Sequence, residues 1–449
     1  MMIKLLNVRH RAILKLSLPI IGGMISQNVL NLVDAAMVGR VGTSALASVG
    51  LGSFLNFVCA AMVMGLAVGV QTQCARLRGA GDPLDAVPLN GGLTLALVIS
   101  VPLTVMLTLA TPLLMSWVTE SAKISSEGGA YLQARLLGLT AVGFNFAFRS
   151  YWSAVERTSI YLITLIVMHA CNIFLNWVFI FGHLGAPQLG VEGAGLASSV
   201  SVWIGAALYC IFAFRYASDR GFLTRLPDPT SWRDLLRMSL PSGVERLFFA
   251  LGMTTFMTFI GWIGEAELAA SHVMISLFLV AILPGLGFGI ASATFVAKSI
   301  GAQTPEDIPK WRRDVSLWAL TFLSTIGVLF FIYHSEVISI FMTDPHPAKL
   351  ARDVLVLMVV FLPAEALHMV IYQSLLGLGD NRAVMMINLG VQWGVSLPLI
   401  YVLGVLCGSG LVWVWVVHLG GRLLSLLLYT LRWRVMMRRL IFSQASLEA

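Results

Sequence analysis

Apolar residues in this chain neither alternate with polar ones nor keep to one helical stripe. They fill long runs separated by short loops rich in glycine, proline and charge. Twelve such runs are read, at 13–38, 46–73, 89–117, 130–152, 159–182, 191–214, 236–262, 268–297, 315–334, 353–376, 384–407 and 409–431. About 20 apolar residues at 1.5 Å each cross the hydrocarbon core as a helix. Membrane barrel strands need only about 10 residues and alternate in polarity. The pattern therefore predicts an all-α membrane protein with twelve transmembrane helices. The first run is too long for a signal-peptide core and has no small-residue cleavage site behind it.

The pattern repeats. Residues 16–80 and 238–302 align without a gap at an offset of 222: Ser17-Leu18-Pro19 matches Ser239-Leu240-Pro241, Gly39 and Gly42 match Gly261 and Gly264, Gly65 matches Gly287, and Gly79-Ala80 matches Gly301-Ala302. Six spans separate the copies, so both have the same topology and form parallel repeats about an axis along the membrane normal. This gives two pseudo-symmetric six-helix lobes: an N-lobe at 1–214, a charged, Pro-containing cytoplasmic linker at 215–235, and a C-lobe at 236–449 that ends in a short basic segment. Pro19 and Pro241 sit early in spans 1 and 7, tolerated in a first turn and kinking further in. Gly22, Gly23, Gly65, Gly69, Gly285, Gly287 and Gly289 read mainly as sites of close helix packing.

Composition agrees with the pattern. The chain is 58% hydrophobic and 11% charged, with a mean hydropathy of +0.85, against about 25% charged for a soluble domain. The net charge of +7 does not signal nucleic acid, because its placement is topological. Basic residues cluster before span 1 (Lys4, Arg9, Arg11), after span 2 (Arg76, Arg78), around the linker (Arg215, Arg220, Arg225, Arg233) and after span 12 (Arg432, Arg434, Arg438, Arg439). The alternate loops hold Arg40, Lys123, Lys349 and Arg352. The positive-inside rule then puts both termini in the cytoplasm. Five cysteines lie in or at the ends of spans with no CxxC spacing, which reads as packing rather than as a disulfide framework or zinc site.

The informative residues are the polar ones inside the runs. Asp34 is the acid of span 1, and Gln27, Asn31 and Asp34 fall at i, i+4 and i+7 on one helix face. A charge at the bilayer centre costs roughly 2.5–3.5 kcal/mol on insertion scales. Asp34 is thus either an interfacial acid pairing with Arg40 or a buried carboxylate that binds a cation or proton. In span 5, His169, Asn172 and Asn176 share a face, either bonding a neighbouring helix or lining a cation site. Span 7 holds Glu245, read either as a cavity acid or as half of an internal salt bridge. In span 10, Glu365, His368 and Tyr372 fall at i, i+3 and i+7, forming a proton relay or a satisfied hydrogen-bond cluster. The sequence contains no HExxH, G-x-S-x-G or phosphate-loop motif. Neither an enzyme nor a nucleotide-driven pump is expected, and no cofactor beyond a coupling ion, H⁺ or Na⁺.

Several stretches together resemble the multidrug and toxic compound extrusion family: NLVDAAMVGRVGTSALASVG from span 1, GLGFGIASATFVAKSIGAQTPED after span 8, CNIFLNWVFIFG in span 5 and LLGLGDNR after span 10. The resemblance covers roughly 10–435. It implies export of cationic, amphipathic compounds in exchange for protons or sodium ions, through a central cavity that alternates between the two sides of a cell's inner membrane. It assigns Asp34 to cation coupling and matches Asn172 and Asn176 to a polar pair of span 5; Gln27 and Asn31, on the same face as Asp34, complete the expected coupling site. Some proton-coupled members carry an acid where Asn176 stands. The resemblance matches Glu245 and Glu365 to acids of spans 7 and 10, and these two, with His368 and Tyr372 from the shared face of span 10, are expected to form a second site for substrate or ion. The expected partners are small cationic substrates and the bilayer, not nucleic acid, with the monomer as functional unit. A flippase for lipid-linked or polar precursors on the same fold is the alternative.

Overall fold

The computed structural model describes the backbone of residues 8–342 and 344–448 and the side chains of residues 8–342 and 344–441; Lys4 lies outside them. Among the described residues every regular element is helical. The first repeat contains α1 (Val8–Gly39), α2 (Thr43–Met64), α3 (Leu66–Gly79), α4 (Val87–Val118), α5 (Ala122–Leu136), α6 (Leu139–Ala154), α7 (Thr158–Phe181) and α8 (Gly190–Tyr216). The second contains α9 (Pro229–Ile263), α10 (Glu265–Gly301), α11 (Ile308–Ile332), α12 (His334–Phe341), α13 (Pro345–Gly377), α14 (Asn381–Val391), α15 (Leu397–Ile400) and α16 (Leu411–Glu448).

Eleven helical stretches are long and apolar enough to cross a bilayer. The expected span at 130–152 is the twelfth, and it is not one helix. It is built from α5 and α6, which meet at Leu137–Gly138. A side chain at Gly138 would sit 2.9 Å from the Ser199 hydroxyl on α8, so the break lets two backbones approach. At 15 and 16 residues α5 and α6 are each too short to cross alone, and Lys123, Glu127, Gln133 and Arg135 make α5 polar besides. The span at 384–407 is also irregular, with π-type turns at Gln392–Ser396 and Tyr401–Leu406. Pro19 and Pro241 lie in helix interiors rather than in first turns, because α1 and α9 begin well before the apolar runs.

Packing divides the chain into two compact units, one of residues 22–247 and one of residues 1–21 with 248–449. Both divisions fall inside helices, shortly after Pro19 in α1 and Pro241 in α9. The packing units and the sequence repeats are therefore different partitions. The opening segment of α9 packs with α2 and α3, and that of α1 packs with α10. The contacts are equivalent. Gly65 lies against Gly243, with 2.4 Å from an added Cβ to its Cα, and Gly287 lies against Ile21, with 2.5 Å to Ile21 Cγ1. Gly65 and Gly287 are 222 residues apart, and so are Ile21 and Gly243. In both repeats glycine admits the crossing helix, since a Cβ there would overlap it.

Candidate cation site

In the unit of residues 22–247, α1 and α7 run side by side in parallel. Gly23 sets their approach: an added Cβ would lie 2.6 Å from the Tyr161 ring and 2.8 Å from Leu165. Polar side chains then meet in register. His169 contacts Ser26 through Nδ1 and Gln27 Oε1 through Nε2, both at 3.2 Å. Further along, Asn176 Nδ2 donates to Asp34 Oδ1 at 2.6 Å. These pairs are all 142 or 143 residues apart in sequence. The constant separation shows two helices advancing together. Helix α7 stops at Gly182, whose left-handed conformation (φ 75°) lets its N–H return to the Val178 carbonyl.

Asp34 is half-buried, while Asn172 and Asn176 are buried. Asn176 Nδ2 also donates to Asn172 Oδ1, and Asn172 Nδ2 donates to Ser198 Oγ on α8, each at 3.2 Å. With the Asn172 amide turned over, its nitrogen donates to the same Asp34 oxygen at 3.0 Å and its oxygen accepts from the Ser198 N–H at 3.3 Å. Oδ1 of Asn176 is buried and meets no donor. One carboxylate, two amide groups and a hydroxyl thus converge, with one buried oxygen free. Such a donor set fits a small hard cation or an added proton. Arg135, at the break between α5 and α6, acts electrostatically on Asp34.

The expected Gln27–Asn31–Asp34 face divides. Gln27 donates to Asn31 at 3.2 Å, and the pair joins His169. No hydrogen bond connects that cluster to Asp34 among the described residues. Nor does an ion pair join Asp34 to Arg40 there, so the interfacial-acid reading has no contact behind it.

The other unit treats its acid differently. Glu365 on α13 is fully buried and takes both arms of Arg422 from α16, Nε at 3.2 Å and Nη2 in a closer contact. The expected relay is not hydrogen-bonded: His368 Nδ1 stands 3.6 Å from Glu365 Oε1, within ion-pair range only, and neither ring nitrogen has a hydrogen-bond partner. The His368 ring lies nearly parallel to Tyr372, with centroids 6.4 Å apart, and 5.5 Å from the ring of Tyr429. Glu245 is buried in the unit of residues 22–247, so no single unit contains both acids of the expected second surface. At the position matching Asp34, Phe256 packs its ring against Trp415 and His418 at 5.7 and 4.8 Å.

Sequence reasoning overlooked three features. Arg422 is a charge inside an apolar run, as visible as Asp34. Ser198 carried no signal, because serine is ordinary in a helix of small residues. Asp85 was overlooked although the repeat continues to it: Gly79-Ala80-x-x-Pro83-x-Asp85 matches Gly301-Ala302-x-x-Pro305-x-Asp307. Asp85 binds Arg220 at 2.8 Å and Arg78 at 3.2 Å, and Asp307 binds Arg9 at 3.1 Å and Lys310 at 3.0 Å. Each acid thereby holds the basic segment leading into the other repeat.

Comparison with known proteins agrees with this architecture. The MatE family profile matches twice, over residues 19–178 and 241–402, and the two matches start 222 residues apart. A probable multidrug resistance protein NorM of Thermotoga maritima is 24% identical over 411 residues, covering 91% of this chain and 88% of the relative. A protein of the same description from Mesorhizobium japonicum is 28% identical over 437 residues, covering 94% and 93%. A solved outward-facing structure of a multidrug resistance MATE family transporter of the MOP superfamily superposes with a TM-score of 0.88 at 20% identity, over 97% of each chain. At that identity the likeness shows the fold.

Proposed function

Because the chain belongs to the MatE family of multi-pass multidrug transporters, we propose that it exports cationic, amphipathic compounds in exchange for H⁺ or Na⁺, with Asp34 as the coupling carboxylate. The observation that carries this reading is an acid in an apolar span held by the neutral amides of α7 rather than by a guanidinium. A carboxylate whose direct hydrogen bonds come from neutral donors changes its occupant at lower cost than one bonded to a guanidinium, because Arg135 acts on Asp34 only through space. A bound cation or proton and a cationic substrate compete for the same negative field, so occupancy by one favours release of the other. The free oxygen of Asn176 and the amide of Asn172 are available to bond either form of the acid. The relatives' description as multidrug resistance proteins supports drug-like cations over the flippase cargo.

Inverted vesicles test the reading with a fluorescent organic cation, under pH and sodium gradients imposed separately. One gradient is expected to drive uptake. No uptake under either gradient would refute cation-coupled export. Both termini are read as cytoplasmic from the charge asymmetry. Cysteines introduced in 215–235 are expected to react only with reagents that enter the cell, and labelling from outside would reverse the orientation.

A further inference from the structure

The basic end of the unit of residues 22–247 contains a cavity of about 680 Å³ that the export reading does not use. Arg78, Arg157, Arg215 and Arg220 face it, with Tyr216 between them and Asp82 and Asp219 at its wall. Behind it Asp85 is fully buried. One Asp85 oxygen takes Arg220 and Arg78, and the other accepts from the Tyr151 hydroxyl at 3.4 Å. Two of the four guanidinium groups are therefore held in place. Asp82 is engaged by the Leu84 N–H at 2.7 Å. Arg157 and Arg215 meet no carboxylate among the described residues. They lie over the Tyr216 ring, 5.1 and 6.0 Å from its centroid.

Four guanidinium groups against three carboxylates leave the cavity positive, and the two arginines without a carboxylate, Arg157 and Arg215, are exposed. Guanidinium forks match phosphate oxygens in geometry as well as charge. The surroundings select among phosphates. Trp203, Ala207 and Ile211 form an exposed stripe at i, i+4 and i+8 along α8, and Arg215 continues the same face one turn beyond Ile211. Phe214 is exposed beside it. An apolar, lipid-facing stripe thus leads into an arginine cavity, on the face that the charge rule puts in the cytoplasm. Anionic lipids are concentrated there, and basic pockets between helices bind their headgroups.

We propose that this cavity binds the phosphate headgroup of an anionic phospholipid, whose acyl chains lie along Ile211 and Phe214 of α8. The site also secures the linker. Asn90, at the start of α4, donates to the carbonyls of Gly221 and Arg225 at 2.7 Å and accepts from the Leu223 N–H at 2.9 Å. Arg220, immediately before this clamp, faces the headgroup.

The test uses the full chain purified in detergent, with phosphatidylglycerol, phosphatidylcholine and inorganic phosphate as probes. Lipid binding is read by native mass spectrometry and by the shift in thermal unfolding. Phosphatidylglycerol is expected to bind and to raise the unfolding temperature, and phosphatidylcholine is not. Arg157→Gln with Arg215→Gln removes the two uncommitted charges and leaves the Asp85 cluster intact. It is expected to weaken phosphatidylglycerol binding about thirtyfold. Arg157→Gln alone, at an exposed position, gives a partial loss and serves if the double variant folds poorly. Unchanged phosphatidylglycerol binding by these variants overturns the proposal. Equal stabilisation by millimolar inorganic phosphate also overturns it, by assigning the cavity to a soluble anion.

Discussion

Asp34 and Glu365 are both acids in apolar helices, and their surroundings give them different work. Asp34 is held by the amides of Asn176 and Asn172, and an unpartnered amide oxygen stands nearby. Glu365 is fully buried against a two-armed Arg422. Losing a proton or cation from the first changes a few hydrogen bonds, each of about 1–3 kcal/mol. Neutralising the second strands a guanidinium, at about 3–5 kcal/mol. The repeat sharpens this difference: where the first copy has Asp34, the second has Phe256 packed on Trp415 and His418. Duplication supplied two frames, and one of them carries an acid held by neutral amides where the other carries an aromatic ring. An acid inside a span therefore indicates function only when its partner is known.

Changes that exchange these two environments break the comparison most sharply. Phe256→Asp puts a carboxylate into a packed aromatic cluster, fully buried and without a cationic partner built for it, and it also opens a cavity. A loss above about 5 kcal/mol is expected, read as collapse of folded yield. Arg422→Met leaves Glu365 buried and unpaired, for a loss of about 3–5 kcal/mol. Adding Glu365→Gln is expected to restore much of that loss, seen as recovery of the unfolding temperature; no recovery contradicts the ion-pair account. Asn176→Ala removes one charge-assisted bond at about 1.5–3 kcal/mol, with impaired export in a protein that still folds. Asp34→Asn has the smallest effect on stability, below about 1 kcal/mol, because the replacement keeps shape and hydrogen bonding. Thermal unfolding of the four single variants and the Arg422→Met, Glu365→Gln double variant in one detergent ranks them.

Much of this was legible in the sequence. The apolar runs predicted the spans, because the bilayer imposes a length on each helix. The 222-residue offset predicted the duplication, and even the paired contacts of Gly65 and Gly287 obey it. The face shared by Asn172 and Asn176 pointed at Asp34, since helical periodicity sets which side chains align. Other features depended on partners that periodicity does not name. Glu365, His368 and Tyr372 share a face, but only packing shows that Arg422 takes the acid and that the histidine stands out of hydrogen-bond range. The break at Leu137–Gly138 was hidden because the whole stretch 130–152 is apolar enough on average. The division of α1 and α9 between units depends on contacts far apart in the chain, which no local pattern records.

The proposed export depends above all on Asp34 as the coupling acid. Its most direct test is uptake of a fluorescent organic cation by inverted vesicles containing Asp34→Asn, beside the unaltered protein at matched expression. Equilibrium substrate binding is measured on the same purified proteins. Gradient-driven uptake is expected to fall to background in the variant, while the variant remains folded and retains measurable binding. Uptake at the normal rate by a well-expressed Asp34→Asn protein would contradict the account and leave the acid a structural member of the α1–α7 contact.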